Sequence, residues 1–309
     1  MDRSDPQLPI QFTETTEPAS NVKIARILDQ VRERQEREAI AAGLPDWPEK
    51  ARGIPNGALR SSLFGVVRKG ARDYLKRQKI ASVEGLTLVF NGPRLTQYHL
   101  DVWEQCLHIA RVDGTGKIIR FTAYSFLKSI GRSTGKSDRE WLKGALLDLA
   151  SSVVEISDGR RAYFGPLIHH GVRDEVTKEY IIEINPRLAL LYGVDGWTRI
   201  EFAQRQALRK QPLAQWLHGF YSTHAQPYAY KVETIKRLCG SETKELFHFR
   251  AELRDALAKL SCTTGWSCSI DGQDLVRIGK TTGDSTDRAG DSTEGAVGPT
   301  GDSADDMRG

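Results

Sequence analysis

A glycine-rich loop carrying a lysine is the segment of this 309-residue chain that most invites a catalytic interpretation. Gly131-Arg-Ser-Thr-Gly-Lys-Ser137 sets Lys136 and Ser137 directly after a glycine, as in loops that cradle nucleotide phosphates. Such a loop needs four residues between its glycines and a strand before it. Only three lie between Gly131 and Gly135, and the preceding segment has a helical pattern. We therefore reject ATP binding and, with it, a nucleotide-driven motor.

Histidines and cysteines are the other residues whose chemistry could make a site. His169 and His170 are adjacent, so a strand would point them to opposite faces, and no carboxylate or cysteine lies at ligand spacing around them. The four cysteines form no CxxC pair, which favours a reduced cytoplasmic protein. The sequence also lacks a GxSxG motif and any other nucleophile–base set. We expect no metal, no cofactor and no enzymatic activity.

An eleven-residue pattern that occurs twice gives the glycine loop a different explanation. Phe121–Gly131 and Tyr230–Gly240 each have the pattern of a short strand, a helix of one to two turns and a glycine. A longer amphipathic helix follows each copy, and then apolar runs around an Asp-Gly pair. This is the order of a winged helix-turn-helix. We predict an α+β fold with two tandem winged-helix domains and disordered N- and C-terminal tails.

A winged helix presents the N-terminal half of its longer helix to a DNA groove and its hairpin to the sugar-phosphate backbone. Asp158-Gly159 is the predicted turn of the first wing, and the second wing surrounds Asp271-Gly272. Positive and hydroxyl side chains at these places suit phosphates and base edges. The predicted DNA-contacting residues are Arg132, Ser133, Lys136, Arg139, Lys143, Arg160, Arg161, Ser241, Thr243, Lys244, His248 and Arg277.

Hydropathy and composition divide the chain into five segments. These are a disordered tail at 1–20, an N-terminal helix and basic connector at 21–82, winged-helix domain 1 at 83–195, winged-helix domain 2 at 196–278, and an acidic low-complexity tail at 279–309. The last segment has seven acidic residues against three basic ones, although the whole chain has a net charge of +4. The positive charge therefore belongs to the rest of the chain, as expected for a protein that binds a polyanion.

The N-terminal segment carries one short motif and no targeting signal. Gln7, Ile10 and Phe12 are spaced like the anchors of short peptides that dock on bacterial sliding clamps, which makes them a candidate clamp-binding motif. The N-terminus lacks the apolar region of a secretory signal, and no run of eighteen apolar residues predicts a membrane span. We expect a cytoplasmic protein with no membrane partner.

Two separate blocks of this sequence resemble the TrfA-type plasmid replication initiators. The first block is Leu44-Pro-Asp-Trp-Pro48 followed by Ile54-Pro-Asn and Leu59-Arg-Ser-Ser-Leu-Phe64. The second is Phe220-Tyr-Ser-Thr-His-Ala-Gln-Pro-Tyr228 with Val232-Glu-Thr-Ile-Lys-Arg-Leu-Cys-Gly-Ser241. The resemblance spans residues 44–278, and the blocks keep their order and spacing.

The resemblance implies a function and a set of partners. Members of this family bind repeated origin sequences (iterons) with tandem winged helices, melt the adjacent AT-rich DNA and recruit the host helicase, initiator and sliding clamp. It also implies contact with single-stranded origin DNA and an equilibrium between homodimer and monomer. A tandem winged-helix transcription regulator that does not open an origin is the alternative that the same residues leave open.

Overall fold

The computed structural model describes residues 43–67, 70, 72–112, 118–157, 159, 162–193 and 196–280, with helical positions 27–28, 30–31, 33–34, 38 and 40 before them. Those positions agree with the helix predicted in this part of the chain. The predicted N-terminal tail lies outside the described residues, and so does the acidic tail apart from Gly279 and Lys280. Among the described residues, no helix combines the length and apolarity needed to cross a lipid bilayer.

The helices and strands of the described residues are numbered in chain order. The helices are α1 Asn56–Leu59, α2 Gln97–Ala110, α3 Ala123–Ser129, α4 Lys136–Ser151, α5 Phe202–Ala207, α6 Pro212–Ser222, α7 Val232–Leu238 and α8 Leu246–Thr264, with a 3-10 helix at Pro186–Tyr192. The strands are β1 Ala51–Pro55, β2 Phe64–Gly65, β3 Tyr74–Ile80, β4 Thr87–Pro93, β5 Leu95–Thr96, β6 Ile118–Thr122, β7 Val153–Ser157, β8 Ala162–Pro166, β9 His170–Arg173, β10 Glu179–Glu183, β11 Trp197–Glu201, β12 Tyr230–Lys231, β13 Ser267–Ile270 and β14 Leu275–Gly279.

The first copy of the repeated pattern folds as a helix-turn-helix beside a three-stranded sheet. Strand β6 leads directly into α3, and a turn connects α3 to α4. Strand β6 pairs antiparallel with β10, which pairs antiparallel with β9. Helix α2 contacts α4, and both bury apolar side chains such as Trp103, Leu142 and Leu146. These elements are the three helices and the sheet of a winged helix.

The second copy repeats this arrangement with the same topology. Strand β12 leads into α7, a turn connects α7 to α8, and β12 pairs with β14, which pairs with β13. Leu213, Trp216 and Phe220 of α6 are buried in the core that α8 also lines, as their spacing predicts. The predicted α+β fold with two tandem winged helices is confirmed.

The wing of the first unit is not the hairpin that the sequence predicted. The hairpin around residues 158–159 does form from β7 and β8, but β7 pairs on its other edge with β4. Since β6 pairs with β10, the wing is the β9–β10 hairpin. Its turn contains no glycine: the Asp174 carboxylate accepts hydrogen bonds from the backbone of Val176 and Thr177, and Lys178 adopts a φ of 61°. The Asp-Gly signal therefore pointed to the wrong hairpin.

The segment predicted as an N-terminal connector is part of the fold. Strands β3 and β4 extend the β7–β8 hairpin into a four-stranded sheet, and β1 pairs antiparallel with β11. Trp47 is buried and its ring lies against Tyr192 and Trp197. Prolines do not prevent this, because Pro48 lies before strand β1 and Pro55 at its end.

Buried apolar residues form two clusters, one for each helix-turn-helix. The first extends in sequence from Trp47 to Ile200, and the second from Leu208 to Ile278. Val66 and Val83 pack against the second cluster although they precede the first winged helix. The predicted domain limits at residues 83, 195 and 278 stay predictions.

Candidate nucleic-acid interface

Each helix-turn-helix turns at a glycine in the left-handed region. Gly131 has a φ of 68° and Gly240 a φ of 63°, conformations that side chains disfavour. Before the first turn, the Thr122 hydroxyl caps α3 by accepting a hydrogen bond from the Ser125 backbone at 3.1 Å. After the turns, α4 and α8 run for 16 and 19 residues. The repeated sequence pattern therefore positions α4 and α8 as the two recognition helices.

Two of the predicted contacts of the first unit are engaged within the protein. The Arg132 guanidinium donates to the Asp138 carboxylate at 2.8 and 3.1 Å and lies 3.7 Å from the centre of the Trp141 ring. Ser133 donates to the other oxygen of Asp138. Hydrogen bonds from Ser133 and then Arg132 hold the pKa of Asp138 below its usual value. These residues brace the start of α4, and a DNA contact would have to displace them.

Three cationic side chains on α4 remain at the surface. Lys136 and Lys143 are exposed, and neither has an ion-pair partner among the described residues. Arg139 is exposed too, and its Nε donates to the Thr134 carbonyl at 3.0 Å. The exposed face of α4 is thus a cationic surface that begins at the N-terminus of the helix, where a recognition helix meets phosphates and base edges.

The turn of the second unit contains two predicted contacts with structural roles. Thr243 is buried, and its hydroxyl donates to the Glu252 carboxylate at 3.0 and 3.1 Å. The Ser241 hydroxyl accepts a hydrogen bond from the Thr243 backbone at 3.3 Å. The DNA contact of Thr243 stays a prediction, although its side chain faces the protein in this structure. Hydroxyl side chains in such a turn can bond to the protein itself, as Thr243 does to a carboxylate of α8 and Ser241 to the backbone of the turn.

The exposed N-terminal end of the second recognition helix combines a lysine, a histidine and an aromatic ring. Lys244 is exposed but lies in the turn, because α8 begins at Leu246. His248 is exposed on the helix, with its ring centroid 3.8 Å from that of Phe247. Phe247 is 59% exposed, and the sequence analysis did not predict it as a contact, because an aromatic residue on an amphipathic helix is typical of the buried face.

The second wing is braced against its own recognition helix. Arg250 of α8 forms a two-point ion pair with Asp274 at 2.7 and 2.9 Å. The exposed Arg277 of β14 donates to the Asp271 carboxylate at 2.7 Å. Backbone hydrogen bonds, chiefly from Leu275, and then Arg277 lower the pKa of Asp271. The wing therefore keeps a fixed position relative to α8, with Arg277 at its surface.

Some predicted contacts cannot be placed. Arg160 and Arg161, which the sequence assigned to the first wing, lie outside the described residues, as do Gln7, Ile10 and Phe12. Arg160 and Arg161 lie in sequence between β7 and β8, and that hairpin is not the wing of the first unit, so the reason given for predicting them no longer holds.

The true first wing carries cationic residues that the sequence prediction missed. Arg173 and Lys178 flank its turn and both pair with Glu175, at 3.3 and 3.1 Å. Val176 at the tip is 91% exposed. A turn built by an aspartate rather than a glycine was the signal that could have located this wing.

Two histidines and a glutamate converge at the base of the first wing, contrary to the argument that separated the histidines. Glu183 lies opposite His170 in the strand register, and its oxygens lie 3.2 Å from His169 Nδ1 and 3.1 Å from His170 Nε2. His169 precedes strand β9, so strand alternation does not separate the two rings. The three donor atoms lie within 4.8 Å of one another, a spacing compatible with a metal ion.

A buried arginine joins the two helix-turn-helix units. Gln97, Asp101 and Glu104 follow one face of α2 at i, i+4 and i+7. Arg205 of α5 is 1% exposed, and its guanidinium lies 2.7 Å from Asp101 Oδ1 and 3.0 Å from Glu104 Oε2. It also donates to the Gln97 side chain at 3.2 Å. Burial raises the pKa of Glu104 to about 7 although the arginine opposes this.

A second link ties the turn between α7 and α8 to the first unit. Arg94, which follows β4, donates to the Gly240 carbonyl at 2.7 Å and to the Glu242 carboxylate at 2.6 Å. The Val66 backbone donates to the Cys239 carbonyl at 2.8 Å. The two recognition helices are thus held in one fixed relation.

Comparison with known proteins places this arrangement in a family. The chain is 24% identical over 250 residues to the plasmid replication initiator protein TrfA of Escherichia coli, covering 78% of this chain and 65% of the length of that relative. The solved structure of domains 2 and 3 of RctB superimposes with a TM-score of 0.50 at 10% identity, covering 73% of this chain and 96% of that one, which supports the fold alone. The family model described as "TrfA protein" matches residues 12–278, so the chain belongs to the TrfA protein family.

Proposed function

We propose that this chain is a plasmid replication initiator that binds repeated origin sequences. The observation that carries the proposal is the family match over residues 12–278, a range that includes both helix-turn-helix units. The relative from Escherichia coli bears the name of a plasmid replication initiator, although this chain spans only 65% of its length. The proposed place of action is plasmid DNA in the bacterial cytoplasm.

The proposed binding mode puts α4 and α8 into successive major grooves of one repeat. Lys136, Arg139 and Lys143 would contact DNA from α4, Lys244 from the turn before α8, and His248 from the start of α8. The proposal assigns secondary contacts to the other predicted residues, which are Arg132, Ser133, Ser241, Thr243, Arg160, Arg161 and Arg277. Cationic contacts to phosphates would supply affinity and a steep dependence on salt.

The proposed mechanism of origin opening is binding combined with deformation. Two recognition helices in a fixed relation favour the DNA shape that suits both, and adjacent copies on neighbouring repeats would strain the AT-rich duplex beside them. The opened strand, the host helicase and initiator, and the sliding clamp through Gln7, Ile10 and Phe12 are the further proposed partners. We also propose that the chain forms a homodimer, which dissociates to monomers before initiation.

Permanganate probing of supercoiled plasmid carrying the origin tests this function. We expect the full chain to make thymines of the AT-rich segment reactive, because opened bases lose their stacking. A variant with Lys136, Arg139 and Lys143 changed to glutamine, which should not bind, is the control. Specific binding with no reactive thymines would leave a transcription regulator as the function and overturn the initiator.

A further inference from the structure

Strand β3 has an unusual row of exposed polar side chains beside the second helix-turn-helix. Lys76, Arg77, Gln78 and Lys79 are consecutive and all exposed, whereas a strand with one buried face would alternate. The sheet register slips between Leu75 and Gln78. This β-bulge leaves Arg77 at a φ of 48°, and bulges of this kind redirect side chains.

A groove of about 580 Å³ separates β3 from helix α7. Four basic side chains line it together with two acidic ones: Lys79, Arg94, Lys236, Arg237, Asp73 and Glu233. Arg94 pairs with Glu242 at 2.6 Å. Lys76, Arg77, Lys79 and Arg237 have no ion-pair or hydrogen-bond partner for their side chains among the described residues. Lys79 and Arg237 line the groove, and Lys76 and Arg77 lie beside it on β3. Asp73 and Glu233 also have no ion-pair partner among the described residues, but basic side chains outnumber them, so the net charge of this surface is positive.

The groove keeps a fixed position relative to the second recognition helix. Arg94 holds the turn before α8 through the Gly240 carbonyl, and Lys236 Nζ donates to the Lys244 carbonyl at 2.9 Å. A duplex that receives the N-terminus of α8 in its major groove passes its backbone beside the turn between α7 and α8. The unpaired cations of β3 and α7 then lie where phosphates run.

We infer that strand β3 and the C-terminal end of α7 form a second phosphate-binding surface that holds the backbone of duplex DNA next to the recognition helix of the second unit. The inference rests on the proposed DNA-binding function and adds a contact outside both helix-turn-helix motifs and both wings. A basic strand at the end of a sheet has another use, because lysines on an edge strand prevent pairing with other chains. The two uses predict different behaviour when the charges are removed.

The test is the salt dependence of duplex binding by the full chain, measured by fluorescence anisotropy on a short random-sequence duplex. In the variant K76Q/R77Q/K79Q we expect the slope of log affinity against log salt to lose about three units. The charge-conserving variant K76R/R77K/K79R should keep the slope of the unchanged chain. A surface control, K50Q/R187Q/K259Q, removes equal charge away from the groove and should also keep it.

Several results would overturn the inference. An unchanged slope in K76Q/R77Q/K79Q, with or without self-association in light scattering, would leave edge protection as the role of these residues. A slope that changes on oligo(dT) but not on the duplex would assign the groove to single strands. If the triple variant does not fold, R237Q on the facing wall provides the same test, with an expected loss of about one unit. If the unchanged chain shows no salt-dependent binding to duplex DNA, that result would contradict the proposed function itself.

Discussion

At the scale of single residues, the positive side chains predicted to contact DNA separate into those held by the protein and those exposed at the surface. Arg132 is held by Asp138 and Trp141, whereas Lys244 and His248 are exposed at the entrance of the second recognition helix. Sequence patterns cannot make this distinction, because both kinds of residue occupy polar positions of an amphipathic helix. Only the packing of a neighbour, such as the Trp141 ring, decides it.

Lys244→Ala and His248→Ala should each weaken binding to the repeat by roughly 1–3 kcal/mol if the side chain contacts a base. The physical reason is the loss of a hydrogen bond to a base edge that water does not replace. Equilibrium titration of the footprinted repeat measures the change, and Lys259→Ala, further along the same helix, is the control. Unchanged affinity in both variants would remove these residues from the interface.

At the scale of elements, the repeated strand–helix–glycine pattern predicted both helix-turn-helix motifs and their turns. Local sequence determines these parts, since Gly131 and Gly240 both adopt the left-handed conformation. The first wing was predicted wrongly because strand pairing is a non-local choice: two hairpins were available, and only the one from 170 to 183 pairs with β6. Residues 51–55 were predicted as a connector for the same reason. They form a strand only by pairing with residues 197–201, which lie far along the chain.

Gly240→Ala should destabilise the fold strongly. An added Cβ would lie 2.9 Å from the Ser62 Cβ and 3.0 Å from Arg94 Nη2, at a φ of 63°. The left-handed conformation alone costs about 1–2 kcal/mol, and the crowding adds to it. Urea unfolding followed by circular dichroism measures the loss.

The matched control for this change is Gly272→Ala in the second wing. Gly272 has no neighbouring atom within 4 Å of an added Cβ and is not in the left-handed region. Its free energy of unfolding should remain close to that of the unchanged chain. Equal effects of the two changes would contradict the role assigned to the Gly240 turn.

At the scale of the whole molecule, the buried contacts between α2 and α5 and the link through Arg94 join the two helix-turn-helix units into one body. A buried charge cluster carries a desolvation cost that an apolar contact would not. Its directional ion pairs instead fix the orientation of one unit relative to the other. The sequence did not reveal the junction, because Arg205 and its partners lie about a hundred positions apart. Only the i, i+4, i+7 spacing of Gln97, Asp101 and Glu104 hinted at a polar face on α2.

Arg205→Met should cost about 3–5 kcal/mol of unfolding free energy, because it leaves Asp101 and Glu104 buried without their cation. We also expect the denaturation transition to broaden or divide as the two units lose their coupling. Urea titration with two probes, far-ultraviolet circular dichroism and tryptophan fluorescence, measures both effects. The exposed Arg187→Met is the control, and a single unchanged transition in Arg205→Met would contradict the role of the junction.

Glu104 should make stability depend on pH near neutrality. Its pKa in the folded protein, about 7, is raised above the ordinary value of 4.5 by burial. The folded state therefore favours the protonated carboxyl: this contribution to stability is complete below about pH 4.5 and is lost as pH rises through 7. Glu104→Gln has no carboxyl to titrate and keeps this contribution. The free energy of unfolding of Glu104→Gln minus that of the unchanged chain should therefore increase as the pH rises from about 4.5 to about 7. Urea unfolding at a series of pH values measures this difference, and a difference that does not change with pH would contradict the prediction. The exposed Glu155→Gln is the control.

Hydroxyl-radical footprinting of the full chain on the DNA that flanks its gene tests the central claim most directly. Two recognition helices held in one body predict paired protections about one helical turn, roughly 10 bp, apart, recurring at regular intervals along repeated sequences. The same pairs should weaken together as salt rises. A single unrepeated protection, or two that respond independently when Arg205 is intact, would contradict the account.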